Sequence, residues 1–175
     1  MTDTPKTPFE ELKAAIHDYG EAAMENLVRC RALGHAISDG FLEYLGVTED
    51  CVSLVPPHGP FDPRKDYGDK AFSFSEAPVI RLEPIVFGLC ITVPHEEDSG
   101  KLWLRVIIKM AVSGGVFDVF VGHQPLIRVP LNFEGALKPV YDAIKEELLS
   151  VFAQELAVFN DSRYAEGIGF VPPEK

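Results

Sequence analysis

Between Lys101 and Val112 the chain reads KLWLRVIIKMAV, and its even positions, Leu102, Leu104, Val106, Ile108, Met110 and Val112, are apolar without exception. Strand geometry places alternate residues on opposite faces, so this row predicts a strand side turned to a core. The odd positions, Lys101, Trp103, Arg105, Ile107, Lys109 and Ala111, mix cations with apolar groups and suit neither bare solvent nor a dry interior. Polar residues 94–100 precede the stretch and Gly114-Gly115 follow it, which predicts the central strand of an antiparallel meander.

The neighbouring segments extend the sheet. Ile85 to Val93 predicts the strand before, Phe117 to Val121 the strand after, and Leu126 to Val129 one more short strand. Val52 to Val55 is a short strand stopped by Pro56-Pro57, Ala71 to Ser75 alternates as a half-buried strand, and Val79 to Glu83 reads as a strand interrupted at Pro84. Pairing Val93 with Lys101 sets Ile91 opposite Trp103, Leu89 opposite Arg105 and Phe87 opposite Ile107. Pairing Ser113 with Val116 sets Ala111 opposite Asp118 and Lys109 opposite Phe120. The second face then carries Phe87, Leu89, Ile91, Trp103, Ile107 and Phe120 around Arg105 and Lys109, too apolar to meet water uncovered.

Helical spacing takes over at both ends. Thr7, Pro8 and Glu10 form a helix start with a capping box, and Phe9, Leu12, Ile16, Tyr19, Ala23, Leu27 and Cys30 recur every three or four residues, predicting a helix from 8 to 31. Gly20 within it is tolerable where a neighbouring element packs close. Leu33, Ile37, Phe41 and Leu45 continue the spacing through Gly34 and Gly40 to a C-cap at Gly46, as a second helix or a bent continuation. Leu137, Tyr141, Ile144, Leu148, Phe152, Leu156 and Phe159 predict a last helix over 138–159, with Pro139 in its first turn. The expected fold is α+β: a meander of about five antiparallel strands bracketed by one or two N-terminal helices and a long C-terminal helix. That element order resembles helix-grip folds, a likeness that carries no site. The organisation expected is a single domain over 1–175 with a loose tail at 1–6, a long Pro/Gly-rich loop over 56–70 and an irregular tail over 160–175.

With 175 residues the chain is long enough to bury a core without a metal or disulfide. Its 27 acidic against 16 basic residues leave a formal charge of −11, which argues against nucleic-acid binding, since that depends on a positive surface. Cys30, Cys51 and Cys90 are widely spaced, without a CxxC pair or a zinc-ligand histidine, and read as reduced thiols. The amino terminus has no apolar h-region, and the longest apolar run, Ile85 to Ile91, is far short of the ~20 residues that span a bilayer. The expectation is a cytoplasmic protein that binds neither membrane nor nucleic acid.

Candidate chemistry is sparse. His17, His35, His58, His95 and His123 include no pair at helical metal-ligand spacing, so no metal is expected. His95 with Glu96, Glu97 and Asp98 reads as an oxygen-rich turn that could hold a hard cation loosely or, on the plainer reading, as a solvated hairpin tip whose charges keep the meander from pairing with other chains. There is no GxSxG elbow and no glycine-rich phosphate loop, and no cofactor is expected. In the loop PPHGPFDPRKDYGD, His58, Asp62, Arg64, Asp66 and Tyr67 are the acid–base or ligand candidates, against the plainer reading of a surface excursion pinned by Phe61 and Tyr67.

Three coverings suit the second sheet face. One long helix lies on each face, two subunits press these faces together, or both helices grip one side and leave a cavity where Arg105 and Lys109 meet an amphipathic anion. The functional expectation is a non-enzymatic protein acting by protein–protein interaction as a homodimer. Trp103, Arg105, Ile107, Lys109, Phe87 and Phe120 are its interface or ligand residues. The alternative is a small-molecule binding protein or enzyme with its pocket between helices and sheet.

Overall fold

The structure is a computed structural model describing residues 5–94 and 100–165, with only the helical backbone described for 161–165. The element order is α1 (Pro8–Leu45), β1 (Val52–Val55), a short 3-10 turn (Gly68–Ala71), β2 (Ile85–Pro94), β3 (Lys101–Ser113), β4 (Val116–Val121), β5 (Ile127–Pro130) and α2 (Lys138–Ala165). The five strands form one antiparallel sheet in the order β1-β2-β3-β4-β5, giving the α+β meander with a helix at each end that the pattern predicts. No helix among the described residues is long and apolar enough to cross a membrane.

The helix start is built as expected. The Thr7 hydroxyl accepts the Glu10 N–H while the Glu10 carboxylate accepts the Thr7 N–H, closing the capping box. The chain then runs as one helix to the left-handed Gly46 cap, without a break at Gly34 or Gly40. Those two glycines are contact points: a Cβ at Gly34 would overlap the Phe72 ring, and one at Gly40 the Tyr141 hydroxyl. Gly20 has no neighbour of that kind within 4 Å, so no element packs close there.

Both helices lie on one face of the sheet. From α1, Leu27, Cys30, Leu33, Ile37 and Phe41 join Leu137, Val140 and Ile144 around α2 in a single cluster with Phe87, Leu89, Val106, Ile108, Met110, Phe117 and Val119. Asn26, buried at the edge of this cluster, donates to the Glu83 carbonyl (3.0 Å) and accepts from the Val112 N–H (2.9 Å). The helices meet where the Tyr44 hydroxyl donates to Asp142 (2.6 Å), itself held by Lys138 (2.7 Å).

Four local expectations are corrected. Ala71–Ser75 is not a strand: the adjacent Ala71 and Phe72 are both buried in the core, Phe72 against Phe87, Phe74 adopts a left-handed conformation (φ 64°), and the strand alternation is lost. Val79–Glu83, between Pro78 and Pro84, is a run of bends tied to α1 by the Tyr19 hydroxyl on the Leu82 N–H and by Asn26. The β2–β3 register is one residue away from the expected one, with Pro94 rather than Val93 opposite Lys101. A one-residue slip exchanges the faces of a strand. Phe87, Leu89 and Ile91 therefore turn to the core, opposite Ile108, Val106 and Leu104, while Val86, Gly88, Cys90 and Thr92 join the second face. The β3–β4 register matches expectation, with Ser113 opposite Val116 and Lys109 opposite Phe120. The last helix extends past residue 159, so the irregular tail expected over 160–175 is helical to Ala165. Residues 166–175, the 95–99 hairpin tip and residues 1–4 of the expected tail lie outside the described residues.

Candidate functional site

The second sheet face is built from Trp103, Arg105, Ile107 and Lys109 on β3, flanked by Thr92, Cys90, Gly88 and Val86 on β2 and by Phe120 on β4. The helical core residues all pack on the opposite side, so the arrangement with one helix on each face does not occur. Part of this face is covered by the proline-rich loop. The Arg105 Nη1 donates to the carbonyls of Pro56 (3.1 Å) and Gly59 (2.9 Å), its guanidinium lies 4.5 Å from the Phe61 ring centre, and Phe61 stands 6.4 Å from the Trp103 ring. Arg105 thus clamps the loop to the sheet.

The remainder stays open. Trp103 is 45% and Ile107 38% exposed, and the Lys109 ammonium sits 4.9 Å from the Phe120 ring. Phe87, expected among these groups, is buried on the other side. In the loop, Asp62 pairs with Arg64 (3.0 Å), the Tyr67 hydroxyl accepts the Asp62 N–H (3.0 Å), and Asp66 accepts the Gly68 N–H (3.0 Å). The Asp62 carboxyl is held below its ordinary range by the Arg64 side chain and backbone N–H. These bonds shape a turn, and His58 is exposed apart from them; the acid–base set considered for the loop is not assembled.

β3 also has an unpaired edge. β4 ends at Val121 opposite Ile108, and the Gly122 N–H to the Ile107 carbonyl (2.9 Å) is the last bond of that ladder. Among the described residues no strand pairs with Lys101–Val106 on that side. The N–H and C=O of one antiparallel residue point the same way, so those of Lys101, Trp103 and Arg105, in phase with Ile107, point to the free edge. Beside it α2 brings Leu148, Val151 and Phe152 against Trp103–Ile107 around a hollow of about 360 Å³.

The turn that ends β4 is pinned by a buried carboxylate. Glu147 accepts the Gln124 amide (3.0 Å) and lies 2.8 Å from the His123 Nδ1, while Gly122, in a left-handed conformation (φ 49°), passes where a Cβ would overlap that carboxylate. Burial pushes the Glu147 carboxyl up, yet the Gln124 amide and the His123 ring and backbone N–H together hold it below the ordinary glutamate value. In the sequence His123 is one of five histidines, following Gly122 where a strand end and a loop position fit equally well, and nothing there marks Glu147, 24 residues on, as its partner.

A third feature is the start of α1. Phe9, Leu12, Ile16 and Tyr19 lie on the face that carries Ala23, Leu27, Cys30 and Ile37, yet they are 70%, 63%, 72% and 49% exposed. His17, Asp18 and Glu21, on its polar side, are ligand-type groups clustered in full exposure. Burial raises the Cys30 thiol to about 12, so that sulfur is inert. Compared with known protein families, characterised proteins and solved structures, the chain matches none.

Proposed function

We propose that the protein is a non-enzymatic binding protein that works as a homodimer, the amino-terminal halves of two α1 helices pairing along their exposed stripes. The observation that carries this reading is the heptad in α1, with Phe9, Ile16 and Ala23 at one core position and Leu12, Tyr19 and Asn26 at the other. From Ala23 onward the stripe is seated on the sheet; before it Phe9, Leu12 and Ile16 are exposed, and Tyr19 is half-exposed with its hydroxyl on the Leu82 N–H. The flanking positions hold Pro8, Ala15, Ala22, Lys13 and Gly20, whereas Glu10, Glu11, Asp18, Glu21 and Glu25 all point away from the seam. A strongly acidic chain has thus kept like charge off this one strip, and its small flanking residues permit close approach of a second helix.

Sedimentation velocity on wild type and Ile16→Lys tests the reading. The wild type sediments as a dimer and Ile16→Lys as a monomer of 19.3 kDa with unchanged circular dichroism. Trp103→Glu leaves the dimer intact. If Ile16→Lys remains dimeric while Trp103→Glu dissociates, the seam is the second sheet face instead.

The hollow beside Trp103 supports a second reading, a small-molecule site, because its size of about 360 Å³ and its apolar walls fit an organic ligand. Of the two expected cations, Arg105 lines the hollow with its Nη1 committed to two loop carbonyls, and Lys109 lies outside it. Quenching of Trp103 emission by fatty acids or aromatic acids, saturating at one ligand per chain, is the result this reading requires.

A further inference from the structure

We propose that the free edge of β3 from Lys101 to Val106 takes an extended segment of another protein, one in which apolar and acidic residues alternate, as an added strand lying against α2. The inference concerns a surface separate from the α1 seam and does not depend on dimerisation.

The opening is built into the sheet. β3 runs for 13 residues, but β4 covers only the half from Ile108 onward. Beyond Val121 the chain turns off at Gly122, and Glu147 holds that turn through His123 and Gln124. The residues that would otherwise continue the ladder are thereby anchored to α2. What they leave is a row of outward N–H and C=O groups on Lys101, Trp103 and Arg105, the template on which strand addition works. Bulges and prolines, which commonly blunt such edges, do not occur between Lys101 and Val106, and the two charges there, Lys101 and Arg105, lie on the second face.

The two sides of the edge specify the occupant. A strand added here sends alternate side chains to opposite faces. One set meets Leu148, Val151 and Phe152 together with Leu104 and Val106, and must be apolar. The other set lies beside Lys101, Trp103 and Arg105 on the second face; Lys101 is exposed, Arg105 keeps its charge while its Nη1 holds the loop, and acidic residues complement the two cations. A second copy of the same edge fits poorly. The antiparallel self-pairing that uses the whole edge is centred on Trp103 and sets Lys101 of each copy opposite Arg105 of the other, like charge against like.

The test is a fluorescence-anisotropy titration with a labelled hexapeptide alternating valine and glutamate, on the full chain. Saturable binding is expected, with slowed amide exchange at Trp103 and Arg105. The valine–lysine counterpart binds at least tenfold more weakly, and the valine–glutamate peptide N-methylated on its edge-facing residues does not bind. Trp103→Pro removes one edge N–H without touching the β2 ladder and weakens binding at least tenfold more than Trp103→Ala does. Equal binding of the lysine or N-methylated peptide overturns the proposal, as does the absence of saturable binding to the wild type. Binding seen only in a full-chain Ile168→Asp/Phe170→Asp variant overturns it in favour of the chain's own C-terminal segment. A dimer lost on Trp103→Pro overturns it in favour of a second copy.

Discussion

Replacing Arg105 by methionine keeps a long apolar stem on the sheet but removes the clamp on the 56–61 loop. Two hydrogen bonds are lost, to the Pro56 and Gly59 carbonyls at 3.1 and 2.9 Å, along with the contact 4.5 Å above Phe61. A bond from a charged donor contributes about 1.5–3 kcal/mol when buried. Gly59 is exposed and Pro56 half-buried, so water replaces much of that and about 0.5–1 kcal/mol remains for each. An exposed cation–π contact adds about 0.5–1 kcal/mol. The sum, about 1.5–3 kcal/mol, raises the open population of the loop by roughly tenfold to a hundredfold. Trp103, the sole tryptophan, reports it directly because Phe61 shields its ring. The expected outcome is a red-shifted emission, a larger acrylamide quenching constant and faster amide exchange over 56–67, with far-ultraviolet circular dichroism unchanged. Emission and quenching identical to wild type would refute the clamp.

Three further outcomes follow from buried contacts. Asn26→Leu leaves the Val112 N–H without its partner at about 1–3 kcal/mol, while water replaces much of the bond to the carbonyl of the exposed Glu83, so thermal melting falls by roughly 3–12 °C; a fall below ~2 °C contradicts the bridging role. Gly20→Ala, in open space, stabilises by about 0.5–1 kcal/mol, whereas Gly40→Ala, against the Tyr141 hydroxyl, destabilises, and denaturant midpoints moving the same way for both would contradict the packing described. The folded Glu147 carboxyl titrates below its unfolded value, so its ionised form contributes stability above the ordinary glutamate range, near 4.3, and that contribution is lost as pH falls through the folded value. Glu147→Gln therefore flattens the acid limb of the stability curve, and equal slopes for the two proteins would remove Glu147 as its cause.

How much of this architecture was readable in the chain depended on how local its determinants were. The β3–β4 register follows from a two-residue Gly-Gly turn, whose geometry leaves little choice. The turn before β3 carries no such constraint, and one residue of slip moved Phe87, Leu89 and Ile91 from the second face to the core. Gly34 and Gly40 resembled a break between two helices because glycine weakens a helix on average; here Phe72 and Tyr141 occupy the space a side chain would have filled. The loop is pinned through Phe61 and Tyr67, as its aromatic residues suggested, yet the Arg105 clamp joins positions 46 and 49 residues apart, beyond the reach of any periodicity. The stripe from Phe9 to Tyr19 was visible from its spacing. That it overhangs the sheet, and so is free to meet another helix, emerges only once Asn26 is seen bonded to Val112 at the sheet margin.

The claim that the bare half of α1 is a self-association seam is tested most directly by the solution mass of the unmodified chain, measured by light scattering across a concentration series. The account predicts twice 19.3 kDa, falling toward a single chain only on dilution. A mass of 19.3 kDa at every concentration would contradict it.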